Sequence, residues 1–168
     1  MLKPTWLVWV AAALAAPAFS QNEVSATLAN HLRVSRDFTL KVAELMPDAS
    51  YDFKLTPAQM TFGEQIVHLS QGLEYFTAPI LGQKPNPGKP ASIKKADVIA
   101  FTRKCFDASI ETVSKLTPGQ LSKSYASEEG NMTGLELVIG LLNHTTHHRA
   151  SAEMYLRAKG IAPPEYEF

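Results

Sequence analysis

The chain has 168 residues, 45% of them hydrophobic and 19% charged, which is the composition of one globular domain and excludes a disordered chain. Lys plus Arg and Asp plus Glu each total 16, and no run of like charge occurs, so the positive excess that a nucleic-acid binder needs is missing. A single cysteine, Cys105, excludes an internal disulfide framework and leaves stability to a packed core.

Residues 1–20, MLKPTWLVWVAAALAAPAFS, read separately from the rest. Lys3 precedes an apolar run from Trp6 to Ala16, Pro17 breaks the run, and Ala18-Phe19-Ser20 offers small residues to a signal peptidase. The run is shorter than the roughly 20 residues that span a bilayer. The expectation is a secretory signal peptide cleaved after Ser20, in preference to an uncleaved anchor. The protein is then exported, periplasmic or secreted, with no stable membrane insertion after cleavage and residues 21–168 as its folded part.

Four helical segments follow. In the first, from about Glu23 to Met46, Val24, Leu28, His31, Ser35, Phe38, Val42 and Leu45 recur at steps of four and three and share one face. Pro47 ends it, and DASYDFKL reads as a polar and aromatic linker. The second helix is expected to open at Thr56-Pro57-Ala58-Gln59, with Thr as cap, Pro in the first turn and Gln closing a capping box. It carries Phe62, Ile66, Leu69, Leu73 and Phe76 and ends near Pro79. LGQKPNPGKP, dense in proline and glycine, is a loop without helix or strand.

The third helix spans about Lys94 to Leu116, with Val98, Phe101, Cys105, Ala108 and Thr112 as its stripe. TPGQL repeats the Thr-Pro-x-Gln signal and marks a short turn, and SYASEEGN is an irregular crossing. Thr133 caps a fourth helix that runs to about Lys159, where Gly160 stops it. The tail IAPPEYEF is not helical. No strand alternation and no long-period repeat is visible. These segments predict an all-α fold, a four-helix bundle.

The fourth helix concentrates histidine. Leu137, Leu141, His144, His148, Ser151 and Tyr155 follow steps of four and three, so His144 and His148 lie one turn apart on the seam that faces the core. Two imidazoles so placed present nitrogens to one point, as a metal requires. His147 points about 100° away and is a surface or supporting residue. A third ligand is needed, and His68 in the middle of the second helix is the best one, with Gly72 leaving space on its face. It joins the pair only if the second helix packs on the fourth. The alternative is that the histidines satisfy one another, or hydroxyls such as that of Thr145, by hydrogen bonds.

YDFKLTPAQMTFGEQIVHLSQGLEYF resembles the second-helix region of the DinB-like (DinB/YfiT) family, and LLNHTTHHRASAEMYLRAKGIAPPEYEF resembles its fourth helix and tail. The resemblance covers about Val24 to Phe168. It implies a bundle holding a divalent metal through three histidines, which on this chain fall on His68, His144 and His148. The family often has Gly-Gln after the arginine of this motif; Ala150 and Ser151 stand there here, so a role for that glutamine is not carried over. Some relatives resemble metal-dependent thiol transferases and others metal-dependent hydrolases. The resemblance also allows a homodimer, which no stretch of the sequence itself shows.

Three neutral ligands would leave the metal's charge uncompensated and one position open, lowering the pKa of water or of a thiol there. Imidazole suits zinc, nickel, copper and iron alike. Hydrolysis of a small molecule is favoured over thiol transfer, because low-molecular-weight thiols are kept in the cytosol and the chain carries an export signal. Glu64, one turn before His68, is a candidate base or orienting group, against a solvent-facing glutamate. His31 is a candidate fourth ligand, base or supporting partner, against a hydrogen-bonded core histidine. Tyr75 is a candidate pocket residue, and Cys105 a buried small apolar one. The competing classes are a bundle that holds a metal or small ligand without turning anything over, and one whose histidines bind nothing.

Overall fold

The computed structural model describes residues 22–128 and 130–166, and the signal-peptide reading of residues 1–20 lies outside them. Its helices are α1 (Asn22–Leu45), α2 (Phe62–Thr77), α3 (Lys95–Ser114), the short α4 (Pro118–Ser122) and α5 (Gly134–Ala158). A hairpin of β1 (Ser124–Ser127) and β2 (Gly130–Thr133) precedes α5, and 3-10 turns lie at Asp48–Ser50 and Pro79–Leu81.

α1 packs on α3 and α5, and α2 packs on the same two helices, so α1 and α2 are diagonal across a four-membered ring. Direction follows from two core layers. One joins Leu28 and Leu32 of α1 to Leu69 and Leu73 of α2, Phe106 and Val113 of α3, and Leu137 and Leu141 of α5. The other joins Phe38 and Val42 to Phe62 and Ile66, Val98, and Tyr155 and Leu156. α1 and α5 therefore run one way, α2 and α3 the other. α2 and α5 lie side by side and antiparallel, the arrangement that can bring residue 68 to residues 144 and 148.

The first helix buries Leu28, Ser35, Phe38 and Val42 as its periodicity requires, while Val24 and Leu45 at its ends stay 44% and 42% exposed. The second helix begins later than expected. Thr56 and Gln59 form a turn, with Gln59 N–H donating to Thr56 O at 3.1 Å. The helix starts at Phe62, capped by Thr61: Glu64 N–H donates to Thr61 Oγ1 at 3.1 Å and Thr61 N–H donates to Glu64 Oε2 at 2.7 Å. Two neighbouring matches to one capping pattern compete here, and tertiary structure selects the second. Phe62 N–H donates to Phe53 O and Gly63 N–H to Tyr51 O, which ties the incoming linker to the helix start. That linker is not merely polar. Tyr51 is buried, and its hydroxyl donates to Ala43 O at 2.8 Å.

α3 buries Val98, Thr102, Phe106, Ser109, Ile110 and Val113, a stripe rotated from the expected one; Ala108 is exposed. The reason is that two of its core positions are hydroxyls that carry their own partners. Ser70 Oγ donates to Thr102 Oγ1 at 2.8 Å, and Ser109 Oγ donates to Leu73 O at 3.3 Å. A polarity pattern cannot see such positions. The expected absence of strands is also corrected. SYAS pairs antiparallel with GNMT, Tyr125 opposite Met132, and both side chains pack on the core. Four-residue strands are too short to show alternation. α5 begins and ends as expected, with a Thr133–Glu136 capping box and Gly160 at φ 74°. Among the described residues no helix is long and apolar enough to cross a membrane.

Candidate metal centre

His68 comes from α2, and His144 and His148 come from adjacent turns of α5. One nitrogen from each lies within 4.8 Å of the others. The ring centroids are 4.4 Å apart for His68–His148 and His144–His148, and 5.3 Å for His68–His144. A tetrahedral ion with nitrogens at about 2.1 Å needs them about 3.4 Å apart, so small side-chain rotations suffice to close on it. His68 is exposed, His144 partly buried and His148 buried, so the cluster runs from the core to the surface and stays accessible.

Three local features prepare these rings. A Cβ at Gly72 would overlap the His144 ring, so the missing side chain is what lets this imidazole lie against α2. His144 Nδ1 is buried and has no hydrogen-bond partner, an orphan that a bound cation would explain. His148 Nδ1 lies 2.6 Å from Gln65 Nε2, and Gln65 is itself buried. If the amide is turned so that Oε1 faces the ring, Nδ1–H donates to it and Nε2 keeps its lone pair free for a ligand bond.

The electrostatics favour neutral rings. Burial, then the neighbouring His68 and His147, pushes His144 down to about 4. Burial, then His144, His68 and His147, pushes His148 down to about 4 as well. At neutral pH both are unprotonated, the form that coordinates a metal. The donor set therefore fits a borderline divalent ion and lacks an anionic ligand.

The remaining sequence candidates fall elsewhere or take other work. Glu64 shares an open groove with His68, but its carboxylate accepts the Thr61 backbone N–H, which holds its pKa below the usual carboxylate range. A carboxylate so held is a weak base. His31 is partly buried in a cleft between α1 and α5, with Phe38, Arg149 and Tyr166; since α1 is diagonal to α2, the structure does not bring it to the triad. His147 is exposed, as expected, with its ring 4.8 Å from that of His148. Cys105 on α3 packs against the core, and burial pushes its thiol up to about 11, so it offers no thiolate. Tyr75 does line a cleft with His68 and His144.

The sequence profile of the DinB family matches residues 19–168. The chain belongs to the DinB family. The fold agrees with solved DinB-like proteins. One from Bacillus cereus ATCC 10987 is 18% identical with a TM-score of 0.74, covering 84% of this chain and 97% of that one. Another, from Bacillus subtilis, is 20% identical with a TM-score of 0.72, covering 84% and 96%. A search among curated proteins returns no match.

Two residues of this DinB-family chain escaped the sequence reading. Gln65 could have been noticed as a polar residue three before His68 on the helix face that carries Phe62, Ile66 and Leu69. Arg149 was visible only as part of a motif. It is 6% exposed, donates from Nη1 to Ser35 Oγ at 2.9 Å and lies 4.6 Å over the Phe38 ring, so it knits α5 to α1 on the flank away from the triad.

Proposed function

We propose that this DinB-family protein holds one divalent transition metal between α2 and α5 through His68, His144 and His148 and uses it in hydrolase-type chemistry on a small molecule. One observation carries the reading: three imidazoles from two helices converge, with one ring seated on a glycine that admits it. When bound, the ion supplies Lewis acidity to a substrate oxygen and a lowered pKa to water beside it. The chain's own residues do the rest. Gln65 fixes the His148 ring, Gly72 makes room for His144, and exposed His68 leaves one side of the cluster open. Exposed His147, in the cleft with His148 and Ser151, is placed to exchange a proton with solvent.

Preference for hydrolysis over thiol transfer rests on the export signal read in residues 1–20, and a periplasmic or secreted location is part of the same proposal. The test is elemental mass spectrometry of residues 21–168, purified without a histidine tag, beside His144→Ala. About one metal per chain, lost in the variant, supports the reading, and ester and amide turnover that follows metal content identifies the hydrolase. Stoichiometric metal without turnover of esters, amides or thiol adducts makes the protein a metal binder. No metal in either protein, even after incubation with zinc, nickel and iron salts, overturns the site.

A further inference from the structure

Three clefts meet at the triad, and they differ in lining. One is bordered by Gln59, Gln65, His147, His148 and Ser151, and a second by Lys54, Gln59, Glu64, His68 and Gln71, each together with apolar side chains but without the aromatic pair of the third. The third, about 320 Å³, is lined by Gly72, Tyr75, Phe76 and Pro87, with His68, Gln71 and His144 also in its wall. Its aromatic rings are already arranged: Tyr75 and Phe76 meet edge to face at 5.3 Å, and Phe76 lies 5.8 Å from the His144 ring. Its rim is tied down from two sides. Tyr75 Oη donates to Glu128 Oε2 at 3.2 Å, beside the hairpin. Gln71 Nε2 donates to Gly88 O at 2.9 Å and Glu74 accepts from Asn86 N–H, which clasps the proline loop, and Pro87 with it, over α2.

A preformed apolar wall rewards a flat apolar group, because the rings are ordered before anything binds. A charged or heavily hydroxylated group there would lose hydration with few partners to replace it. The volume lies at the small end of the usual range of about 300–1,000 Å³ for ligand pockets, which suits a single ring with a short substituent. We propose that the substrate carries an aromatic or similarly flat apolar group attached close to its polar reacting group, the flat part occupying the Tyr75–Phe76–Pro87 cleft while the polar part meets the triad. This rests on the metal reading of His68, His144 and His148.

The test compares two small zinc-chelating probes, acetohydroxamate and benzohydroxamate, titrated calorimetrically into the zinc-loaded protein, with their ratio on free zinc as baseline. Benzohydroxamate is expected to bind about tenfold or more tighter than that baseline predicts. Tyr75→Ala should erase most of this preference and leave acetohydroxamate unchanged, while Tyr75→Phe should keep it; Pro87→Ala, in the loop, provides a second removal of cleft wall if Tyr75→Ala does not fold. Equal binding of the two probes, or a preference that survives both removals, overturns the aromatic cleft and leaves the metal site intact. Failure of the protein to take up zinc in the loading step, or equal uptake by His144→Ala, instead overturns the metal reading itself.

Discussion

The site is prepared by residues that would not touch a metal. Gly72 is the sharpest case. In an exposed helix interior, Gly→Ala gains up to about 1 kcal/mol of helix propensity. At residue 72 the added methyl would overlap the His144 ring, so that gain cannot be realised without moving the imidazole. Gly72→Ala is expected to keep the helical circular dichroism signal and lose metal, read by elemental analysis. Gln65 acts through His148 Nδ1. Gln65→Leu removes that partner and is expected to weaken zinc affinity about 10–100-fold in a competitive chelator titration, with Gln65→Glu restoring it. The buried imidazoles also set an acid limit. His144 and His148 titrate near 6.5 when unfolded and about 4 when folded, so between these values the unfolded chain takes up protons that the folded chain excludes. Their contribution to stability is complete above 6.5 and is lost as pH falls toward 4. The chelator-treated protein should therefore melt at progressively lower temperature across that window, and His148→Leu should flatten the slope.

At the level of the elements, the start of α2 separates what sequence can and cannot specify. Thr56-Pro-Ala-Gln and Thr61-Phe-Gly-Glu both satisfy the capping pattern, and the first has the added proline. The structure uses the second, because backbone bonds to Tyr51 and Phe53 pin the chain at Phe62 and Gly63. Thr61→Ala should cost about 1 kcal/mol in urea unfolding and Thr56→Ala distinctly less. α1 and α5 are legible because their stripes keep a regular spacing of four and three and their ends carry Pro47, Thr133 and Gly160. The α3 stripe departs from the one its apolar spacing predicts because Thr102 and Ser109 are core residues by virtue of hydrogen bonds to α2, which no periodicity reveals. His144 and His148 could be paired from spacing within one helix. His68 needed only the right neighbour for α2, whereas the separation of His31 depended on which helices are diagonal, a property of the ring and not of any segment.

For the whole molecule, that ring would make a bound metal a clasp between distant parts of the chain. α2 and α5 run antiparallel and meet along their length, yet His68 and His144 are separated by all of α3, α4 and the hairpin. An ion shared between them binds the folded arrangement and not the open chain, so binding free energy becomes folding free energy. With free zinc at about a thousand times its dissociation constant the added stability is about 4 kcal/mol. For a chain of this size each kcal/mol moves the melting temperature by about 2–4 °C, so a rise of about 8–16 °C is expected on zinc addition. His144→Ala should abolish that rise, and His147→Ala, altering an exposed ring beside the cluster, should retain most of it. A rise of equal size in wild type and His144→Ala would mean that zinc stabilises the bundle from somewhere other than the α2–α5 seam.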